Sequence, residues 1–188
     1  MNIKLNKKKP STEKPIFSTA RLNCQLVTSA DVDFVASLYQ SPEVMSHIAD
    51  AMSEKQSMAA AQRCIDVTQN PSSQDCFWLL VANQNNQPIG TLGLLASDDP
   101  QNSVEMGILL DPAAAKSGLA TEVISALLPV TFEQMGFDCM YSKYRFDHHA
   151  IDIIAKKLNF IRVLLPEEEG KTRQKRCDLT KSRWLANG

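Results

Sequence analysis

Residues 107–122 (GILLDPAAAKSGLATE) carry the strongest chemical signal in the sequence. Their pattern predicts a strand, a short loop and a long helix that opens at Gly118-Leu119-Ala120. The start of a helix offers backbone N–H groups without an internal partner and about half a positive charge, which is typical of a phosphate site. A glycine that serves packing alone is the other interpretation. A GxGxxG turn and a P-loop are both excluded, because Gly118 stands alone and no Gly-Lys-Ser/Thr follows.

The cysteines and histidines do not form a metal-binding pattern. The five cysteines are scattered, without a C-x-x-C motif, and we expect them to be reduced thiols in the core. Of the three histidines, His148 and His149 are adjacent, so their side chains diverge on a helix or a strand. We therefore expect no metal site.

Composition predicts one globular domain. The chain has 188 residues, 44% of them apolar, and a formal charge of −1, so it lacks the positive field of a general nucleic-acid binder. Residues 1–14 hold five lysines against one acid and predict a basic flexible tail before a single domain at 15–188. No apolar h-region follows the lysines, and no apolar run could span a membrane. We expect a cytoplasmic protein without a membrane partner or a specific nucleic-acid partner.

The elements that must position the 107–122 segment follow from hydrophobic periodicity. Strands are predicted at 16–27, 76–82, 89–96, 104–110, 139–146, 161–165 and 177–185, and helices at 30–39, 53–68, 118–135 and 151–159. Ser53 and Gln56 form a capping box for the second helix. Pro129 predicts a kink in the long helix or an earlier end to it. The order indicates an α+β fold with a mixed sheet flanked by helices.

Several short motifs follow one another in the order of a known family. They are Thr19-Ala20-Arg21-Leu22, Ser29-Ala30-Asp31, Ser41-Pro42-Glu43-Val44, Glu105-Met106-Gly107-Ile108, Asp111-Pro112, Gly118-Leu119-Ala120-Thr121-Glu122 and Lys157-Leu158-Asn159-Phe160. Together they resemble the GNAT superfamily of acyl-CoA N-acetyltransferases, in particular the group related to ribosomal-protein-alanine N-acetyltransferases. The resemblance covers most of the chain. It implies a three-layer fold with a mixed, mostly antiparallel, twisted sheet of about seven strands flanked by four helices.

The resemblance also implies acetyl-CoA as co-substrate. Its pyrophosphate would lie on the backbone at the helix start, and its thioester oxygen would accept from backbone N–H groups of the preceding strand. His148 stands where the family has an asparagine that reaches the pantetheine arm. The implied cofactor-binding residues are Ile108, Leu109, Leu110, Lys116, Ser117, Gly118, Leu119, Ala120, Thr121 and His148.

The sequence departs from the family pattern at four positions. Ala115 replaces a glutamine or arginine, and Lys116 replaces a frequent glycine, so a cationic side chain on the phosphates is missing unless Lys116 supplies it. His148 replaces the asparagine, and Ile151 replaces a serine that can lie near the sulfur. Isoleucine cannot donate a proton. These departures therefore affect catalysis more than they affect backbone binding of the cofactor.

Catalysis of the implied reaction needs a base and an acid. Glu105 is the candidate base because it shares a strand face with Gly107 and Leu109. A solvent-facing acid or a salt-bridge partner is the alternative for Glu105. Tyr144 is the candidate acid for the leaving thiolate, and Tyr141 is the other choice. The alternative for each tyrosine is an aromatic side chain that serves packing alone.

Two classes of function follow from these residues. The first is an N-acetyltransferase that moves an acetyl group from acetyl-CoA to a primary amine, either a protein N-terminus or a small amine. The second is a non-catalytic acyl-CoA-binding or scaffold protein that retains the fold. Glu105 and the Gly118 turn favour the enzyme. A homodimer is one further expectation for its assembly.

Overall fold

The structure is a computed structural model that describes residues 13–46, 48–98, 102–115, 117–163, 165 and 174–187. Its centre is one eight-stranded sheet with the strand order β1-β2-β3-β4-β5-β6-β8-β7. The β5–β6 pair is parallel and every other neighbouring pair is antiparallel. The strands are β1 (Phe17–Ser18), β2 (Leu22–Leu26), β3 (Cys76–Ala82), β4 (Pro88–Ser97), β5 (Ser103–Leu110), β6 (Cys139–Arg145), β7 (Ile161–Val163) and β8 (Gln174–Thr180).

Six α-helices flank this sheet within the described residues. They are α1 (Val32–Gln40), α2 (Pro42–Met45), α3 (Glu54–Gln69), α4 (Leu119–Pro129), α5 (His149–Lys157) and α6 (Lys181–Leu185). The mixed, mostly antiparallel sheet with helices on both faces confirms the predicted α+β class, with one strand and two helices more than expected. None of the described helices is long and apolar enough to cross a membrane.

The sheet separates two apolar layers. On one face, α4 and α5 pack on the strands through a cluster that includes Val123, Leu127, Met106 and Met140. On the other face, α1 and α3 pack on β3, and α1 and α2 pack on Leu109 of β5. Because β5 is held from both faces, its position in the sheet is fixed by packing.

The predicted strand at 16–27 is wrong as one continuous element. The backbone N–H of Thr19 donates to Leu22 O at 2.8 Å, and the Thr19 hydroxyl accepts from the N–H of Leu22 at 3.0 Å. These two bonds close a turn, so β1 folds back antiparallel on β2. A threonine whose hydroxyl accepts from a backbone N–H three residues further on favours a turn over a continuous strand.

The predicted last strand, 177–185, is wrong in its position. The strand β8 begins at Gln174 and ends at Thr180, whose hydroxyl accepts from the N–H of Arg183 at 3.3 Å. This bond caps α6, and Trp184 of that helix packs against Phe132 with ring centroids 5.4 Å apart. The alternating pattern of 177–185 therefore spans a strand and one capped helical turn.

The expectations for Ser53 and Pro129 are confirmed. Ser53 and Gln56 form the capping box at the start of α3. Helix α4 ends at Pro129 and continues as a π-helical turn over Val130–Gln134. Proline has no N–H to donate to the preceding turn, which accounts for the change in winding at this point.

All five cysteines are free and buried, as expected. Burial raises the pKa of Cys139 and of Cys177 to about 11, so both remain thiols at neutral pH. Among the described residues, no group of three metal-ligating side chains is close enough to hold a metal ion.

At the N-terminal end, the chain is tied to the domain from Lys14 onward. Its ammonium donates to the carbonyls of Val67 and Asp75, and the Trp78 indole N–H donates to Pro15 O at 2.7 Å. The boundary between a basic tail at 1–14 and a domain at 15–188 remains a prediction, because residues 1–12 lie outside the described residues.

Candidate active site

Strands β5 and β6 are paired at one end and separate at the other. Only Ser103, Val104 and Glu105 have register partners in β6, and the last pair is Glu105 with Tyr141. Both strands then continue, β5 to Leu110 and β6 to Arg145, with no further pairing between them. In contrast, the whole of β5, from Ser103 to Leu110, pairs with β4. The result is a wedge-shaped gap with unpaired backbone groups of β5 on one side.

The side chains of the β5 segment that borders the gap are used for packing. Leu109 is buried against α1 and α2, whereas Ile108 and Leu110 pack against the cluster on the opposite face. What this segment presents to the gap is therefore its backbone. Backbone N–H groups in a gap that excludes water can stabilise the negative charge that develops on a thioester oxygen.

Helix α4 follows β5 in the chain and has Gly118 at its start. This residue is the N-cap, with a φ of 81°, a conformation that glycine adopts without steric cost. Ser117 and Gly118 are exposed, and the N–H groups of Leu119, Ala120 and Thr121 belong to the first turn, which has no carbonyl partner within the helix. The loop before the helix is held by Asp111, which accepts from the N–H of Ala113 at 2.8 Å. Lys116 lies outside the described residues.

A cluster of Thr19, Arg21 and Glu122 supports the first turn of α4. The Glu122 carboxylate accepts from the Thr19 hydroxyl at 2.5 Å, from the Arg21 N–H at 3.0 Å and from Arg21 Nε at 2.6 Å. Arg21 Nη1 also donates to the carbonyl of Ser117 at 3.1 Å. The hydrogen bond from Thr19 holds the pKa of Glu122 below its usual range. Partial burial alone would raise this pKa, and the bonds and the charge of Arg21 lower it further.

This cluster joins positions about a hundred residues apart. In the sequence, Thr19 and Arg21 belong to the T-x-R-L motif, and no spacing rule connects them with Glu122. The available signal was an acid in the first turn of a predicted helix, where the helix dipole stabilises negative charge. That signal alone does not name a partner.

Glu105 lies at the apex of the gap, on the face of β5 that carries Gly107 and Leu109. Its side chain is 35% exposed, and its carboxylate is 3.6 Å from Lys143 Nζ on β6. A Cβ added to Gly107 would meet no atom within 4 Å, so there is open space beside Glu105 on this face. The carboxylate is thus accessible to a small molecule that enters over Gly107.

Tyr141 is buried on the same face as Glu105. The Arg176 guanidinium lies 3.9 Å from its ring centroid, and Lys143 Nζ lies 5.4 Å from it. Arg176 is in turn held by both oxygens of Asp178, at 2.7 and 2.9 Å. Contact with these two cations holds the Tyr141 ring and gives the apex of the gap a fixed wall on the β6 side.

Tyr144 lies on the other face of β6, toward α5. Its hydroxyl donates to Asp152 at 3.0 Å, and burial raises its pKa well above the usual value, so it stays protonated at neutral pH. The His148 ring, at the N-cap of α5, contacts Tyr144 edge-on at a centroid distance of 6.5 Å. The structure therefore brings Tyr144 and His148 together and separates both from Glu105 by the sheet.

Asp152 is a hub that the sequence did not reveal. Besides Tyr144, it accepts from Lys175 Nζ at 2.7 Å and Arg162 Nη2 at 2.9 Å. Burial alone would raise the pKa of Asp152, but these three hydrogen bonds outweigh it and lower the pKa. The contacts join α5 to β6, β7 and β8, and so fix the helix that carries His148 at its start.

Comparison with known proteins gives consistent matches. Residues 21–161 match the family described as the acetyltransferase (GNAT) domain. A relative from Bacillus subtilis (strain 168), the uncharacterized N-acetyltransferase YoaA, is 24% identical over 168 residues, which cover 85% of this chain and 87% of the relative.

Solved structures of acetyltransferases have the same fold. RimL, a ribosomal L7/L12 alpha-N-protein acetyltransferase solved in complex with coenzyme A, aligns with a TM-score of 0.74 and 14% identity, over 90% of this chain and 99% of RimL. The spermidine N-acetyltransferase from Vibrio cholerae, solved with CoA and spermine, aligns with a TM-score of 0.73 and 17% identity, over 87% of this chain and 98% of that one. At sequence identities this low, the two alignments show a shared fold.

The match to the GNAT domain extends over well over half of the sequence and includes β2 to β6, the gap and the start of α4. The chain therefore belongs to the GNAT family of acetyl-CoA-dependent N-acetyltransferases.

Proposed function

We propose that this chain binds acetyl-CoA between the start of α4 and the gap between β5 and β6, and acetylates a primary amine that enters over Gly107. The observation that carries this proposal is the end of strand pairing at Glu105 and Tyr141. It leaves backbone donors of β5 and an accessible carboxylate at one opening, and the exposed start of α4 follows β5 in the chain. A Cβ on Gly107 would meet no atom within 4 Å and a Cβ on Gly118 would meet Arg21 Nη2 alone among the described residues, so both glycines leave room for a ligand.

The residues present fit an acyl-CoA. The pyrophosphate needs hydrogen-bond donors that it can approach closely. Backbone N–H groups at an exposed helix start would meet this need, and they belong to Ser117, Gly118, Leu119, Ala120 and Thr121. The acid nearest to them in sequence, Glu122, is paired with Arg21, so it would not repel the phosphates as a free carboxylate would. A basic side chain from Lys116 is a further donor in this proposal.

The thioester would lie in the gap. Of the three residues Ile108, Leu109 and Leu110, the first and the last would direct their backbone N–H groups into the gap and stabilise the charge that develops on the thioester oxygen, without any side-chain group. The Leu109 N–H faces β4, because Leu109 is in register with Thr91 in the same phase as the bonded pair of Asp111 and Ile89. His148, at the start of α5, would border the pantetheine arm. Much of the rate enhancement would come from holding amine and thioester together in the right orientation.

Glu105 is the proposed base. An incoming amine is protonated at neutral pH and must lose a proton before it attacks, and Glu105 has an accessible carboxylate beside the open space over Gly107. Lys143 Nζ, 3.6 Å away, would hold the carboxylate in place. This is the same ion pair that the alternative, structural interpretation of Glu105 would use.

Tyr144 is the proposed acid for the leaving thiolate. Its phenol carries a proton at neutral pH, although the raised pKa makes it a weak acid, and its neighbour His148 lies at the start of α5. Because its hydroxyl is bonded to Asp152, the donation would require that bond to be exchanged. Tyr141, on the Glu105 face, is the alternative acid.

We propose a protein N-terminus, or a small molecule with a single amine, as the acceptor. On the face around Glu105, the cations Lys143 and Arg176 accompany the acids Glu105 and Asp178, each in an ion pair. A polycation would find no excess negative charge among these groups. A homodimer and a cytoplasmic location remain predictions from the sequence, and light scattering after gel filtration tests the first.

Mass spectrometry tests the proposed function directly. The purified chain is incubated with acetyl-CoA and either a peptide that has a free N-terminus and no lysine, or spermidine. A gain of one acetyl group on the peptide, faster than on spermidine and absent without enzyme, is the expected result. Tight binding of acetyl-CoA without acetylation of any amine would instead identify a non-catalytic acyl-CoA-binding protein.

A further inference from the structure

We infer that Arg21 is a positioning residue for the pyrophosphate of acetyl-CoA, supplying from the β1–β2 turn the charge that Ala115 does not provide. This inference rests on the proposed function, because it assumes that the pyrophosphate binds at the start of α4. Arg21 lies far from the 107–122 segment in sequence. The chemical role of its guanidinium is separate from that of the backbone N–H groups.

The position of Arg21 is fixed by hydrogen bonds on several sides. Its Nε and backbone N–H donate to Glu122, and Nη1 donates to Ser117 O. On the strand side, the Arg21 carbonyl accepts from the N–H of Asn83 at 2.9 Å, and the Asn83 amide donates to Ala20 O at 3.2 Å. The guanidinium is thus placed before any ligand arrives, although its side chain is 49% exposed.

Two contacts give Arg21 an effect on an anion at this helix start. The bond to the Ser117 carbonyl holds the residue just before Gly118, and therefore the direction of the following N–H groups. The bonds to Glu122 neutralise an acid in the first turn, 22% exposed, which would otherwise repel a phosphate at the same place. Both effects favour the bound pyrophosphate.

The third donor of the guanidinium is directed toward the helix start. Arg21 Nη2 lies 3.8 Å from the position that a Cβ on Gly118 would occupy. Its N–H groups make no hydrogen bond with the described residues, whereas Nε and Nη1 are both used. A phosphate oxygen above Gly118 would therefore find a charged donor in addition to the backbone.

The test compares two acetyl donors in the full chain. Acetyl-CoA carries the pyrophosphate, and S-acetylpantetheine carries the same thioester without it. For Arg21→Ala we expect KM for acetyl-CoA to rise roughly 10- to 100-fold, the usual effect of losing a hydrogen bond to a charged group, with kcat nearly unchanged. For S-acetylpantetheine, kcat/KM should stay within about twofold of wild type.

A second substitution separates charge from structure. Without Arg21, the Glu122 carboxylate is unpaired and repels the phosphates, so Arg21→Ala with Glu122→Gln should recover part of the lost acetyl-CoA affinity. Arg21→Lys, which keeps the charge but cannot make all the contacts, should fall between wild type and Arg21→Ala. Arg183→Ala is the matched control, since Arg183 is also exposed and donates to a backbone carbonyl, Asn159 O, at 2.7 Å.

The inference is overturned if Arg21→Ala leaves KM for acetyl-CoA unchanged, or if both acetyl donors lose activity equally in Arg21→Ala and in Arg21→Lys. Failure of the proposed function gives a different result. In that case the wild-type chain shows no saturable binding of acetyl-CoA, or Gly118→Asp binds it as tightly as wild type does.

Discussion

Glu105 and Tyr141 are the last two residues in register across the parallel β5–β6 pair, and each begins a stretch of strand that has no partner on that side. A longer parallel pair would require β5 and β6 to run side by side beyond this point. Strand β5 is held in place there, because it is fully paired with β4 and packed from both faces. The separation is therefore part of the stable fold. It puts the proposed base at the apex of the opening that the proposed cofactor would fill.

Gly107 tests the route of the acceptor. Gly107→Val should fold normally, because a Cβ there meets no atom within 4 Å and valine suits a strand. Acetylation should nevertheless fall by at least about tenfold, since the side chain would fill the space beside Glu105. Steady-state kinetics and a thermal melt measure the two effects.

Gly93, the register partner of Gly107 on β4, is the matched control. A Cβ at Gly93 would lie 2.4 Å from the Phe77 ring, so Gly93→Val should be destabilised, by about 1–3 kcal/mol or more. Full activity of Gly107→Val in a stable protein would show that the acceptor enters elsewhere.

Gly118 tests the anion site. Gly118→Ala places an L-residue at a φ of 81° and should lower the free energy of unfolding by about 1–2 kcal/mol. It should also weaken binding of acetyl-CoA in isothermal titration, because the added Cβ lies at the helix start. Gly118→Asp should abolish the heat of binding, since its carboxylate also repels phosphate.

Gly136 provides the control for backbone strain, because its φ is 80° and a Cβ there would meet no atom within 4 Å. Gly136→Ala should lose similar stability and keep its affinity for acetyl-CoA. Equal affinities in the two alanine variants would remove Gly118 from the site.

The Asp152 hub predicts a pH-dependent contribution to stability. Since hydrogen bonds lower the pKa of Asp152 in the folded state, the unfolded chain binds this proton more readily. The stabilisation is therefore present above about pH 4, and it is lost as the pH falls through the lowered pKa. Thermal melts of wild type and Asp152→Asn should differ by several degrees at pH 7 and by less at pH 3. A difference that does not change with pH would contradict this role of the charge.

Tyr144→Phe tests the proposed acid. Loss of a proton donor should lower kcat by at least about tenfold for acetyl-CoA, while affinity for the co-substrate stays the same. Tyr141→Phe is the parallel variant for the alternative acid. If Tyr144→Phe lowers only the melting temperature, the hydroxyl serves the Asp152 hub and not the reaction.

The sequence predicts the parts of this protein that depend on local pattern. Strand alternation places Glu105, Gly107 and Leu109 on one face, and the capping box at Ser53 marks the start of α3. The Gly118 turn is visible because only glycine suits its φ without cost. In each case the information lies within a few neighbouring residues.

What the sequence does not reveal depends on contacts between distant segments. The pairing of Arg21 with Glu122 and the convergence of Arg162 and Lys175 on Asp152 arise only when the sheet brings separate strands together. The turn at Thr19 interrupts a pattern that looks continuous, because one side chain satisfies the backbone there. The separation of β5 from β6 has no local pattern, since the apolar alternation continues through both strands.

The pH dependence of turnover in Glu105→Gln decides whether Glu105 is the base. Its affinity for acetyl-CoA should match that of wild type, and kcat at neutral pH should fall by roughly 10²- to 10⁴-fold, the usual contribution of a positioned base. The loss should shrink as the pH rises, because an amine that is already neutral needs no base. Glu133→Gln, which removes an exposed carboxylate outside the proposed site, is the control. A small, pH-independent loss together with a lower melting temperature would contradict the account and assign Glu105 to its ion pair with Lys143.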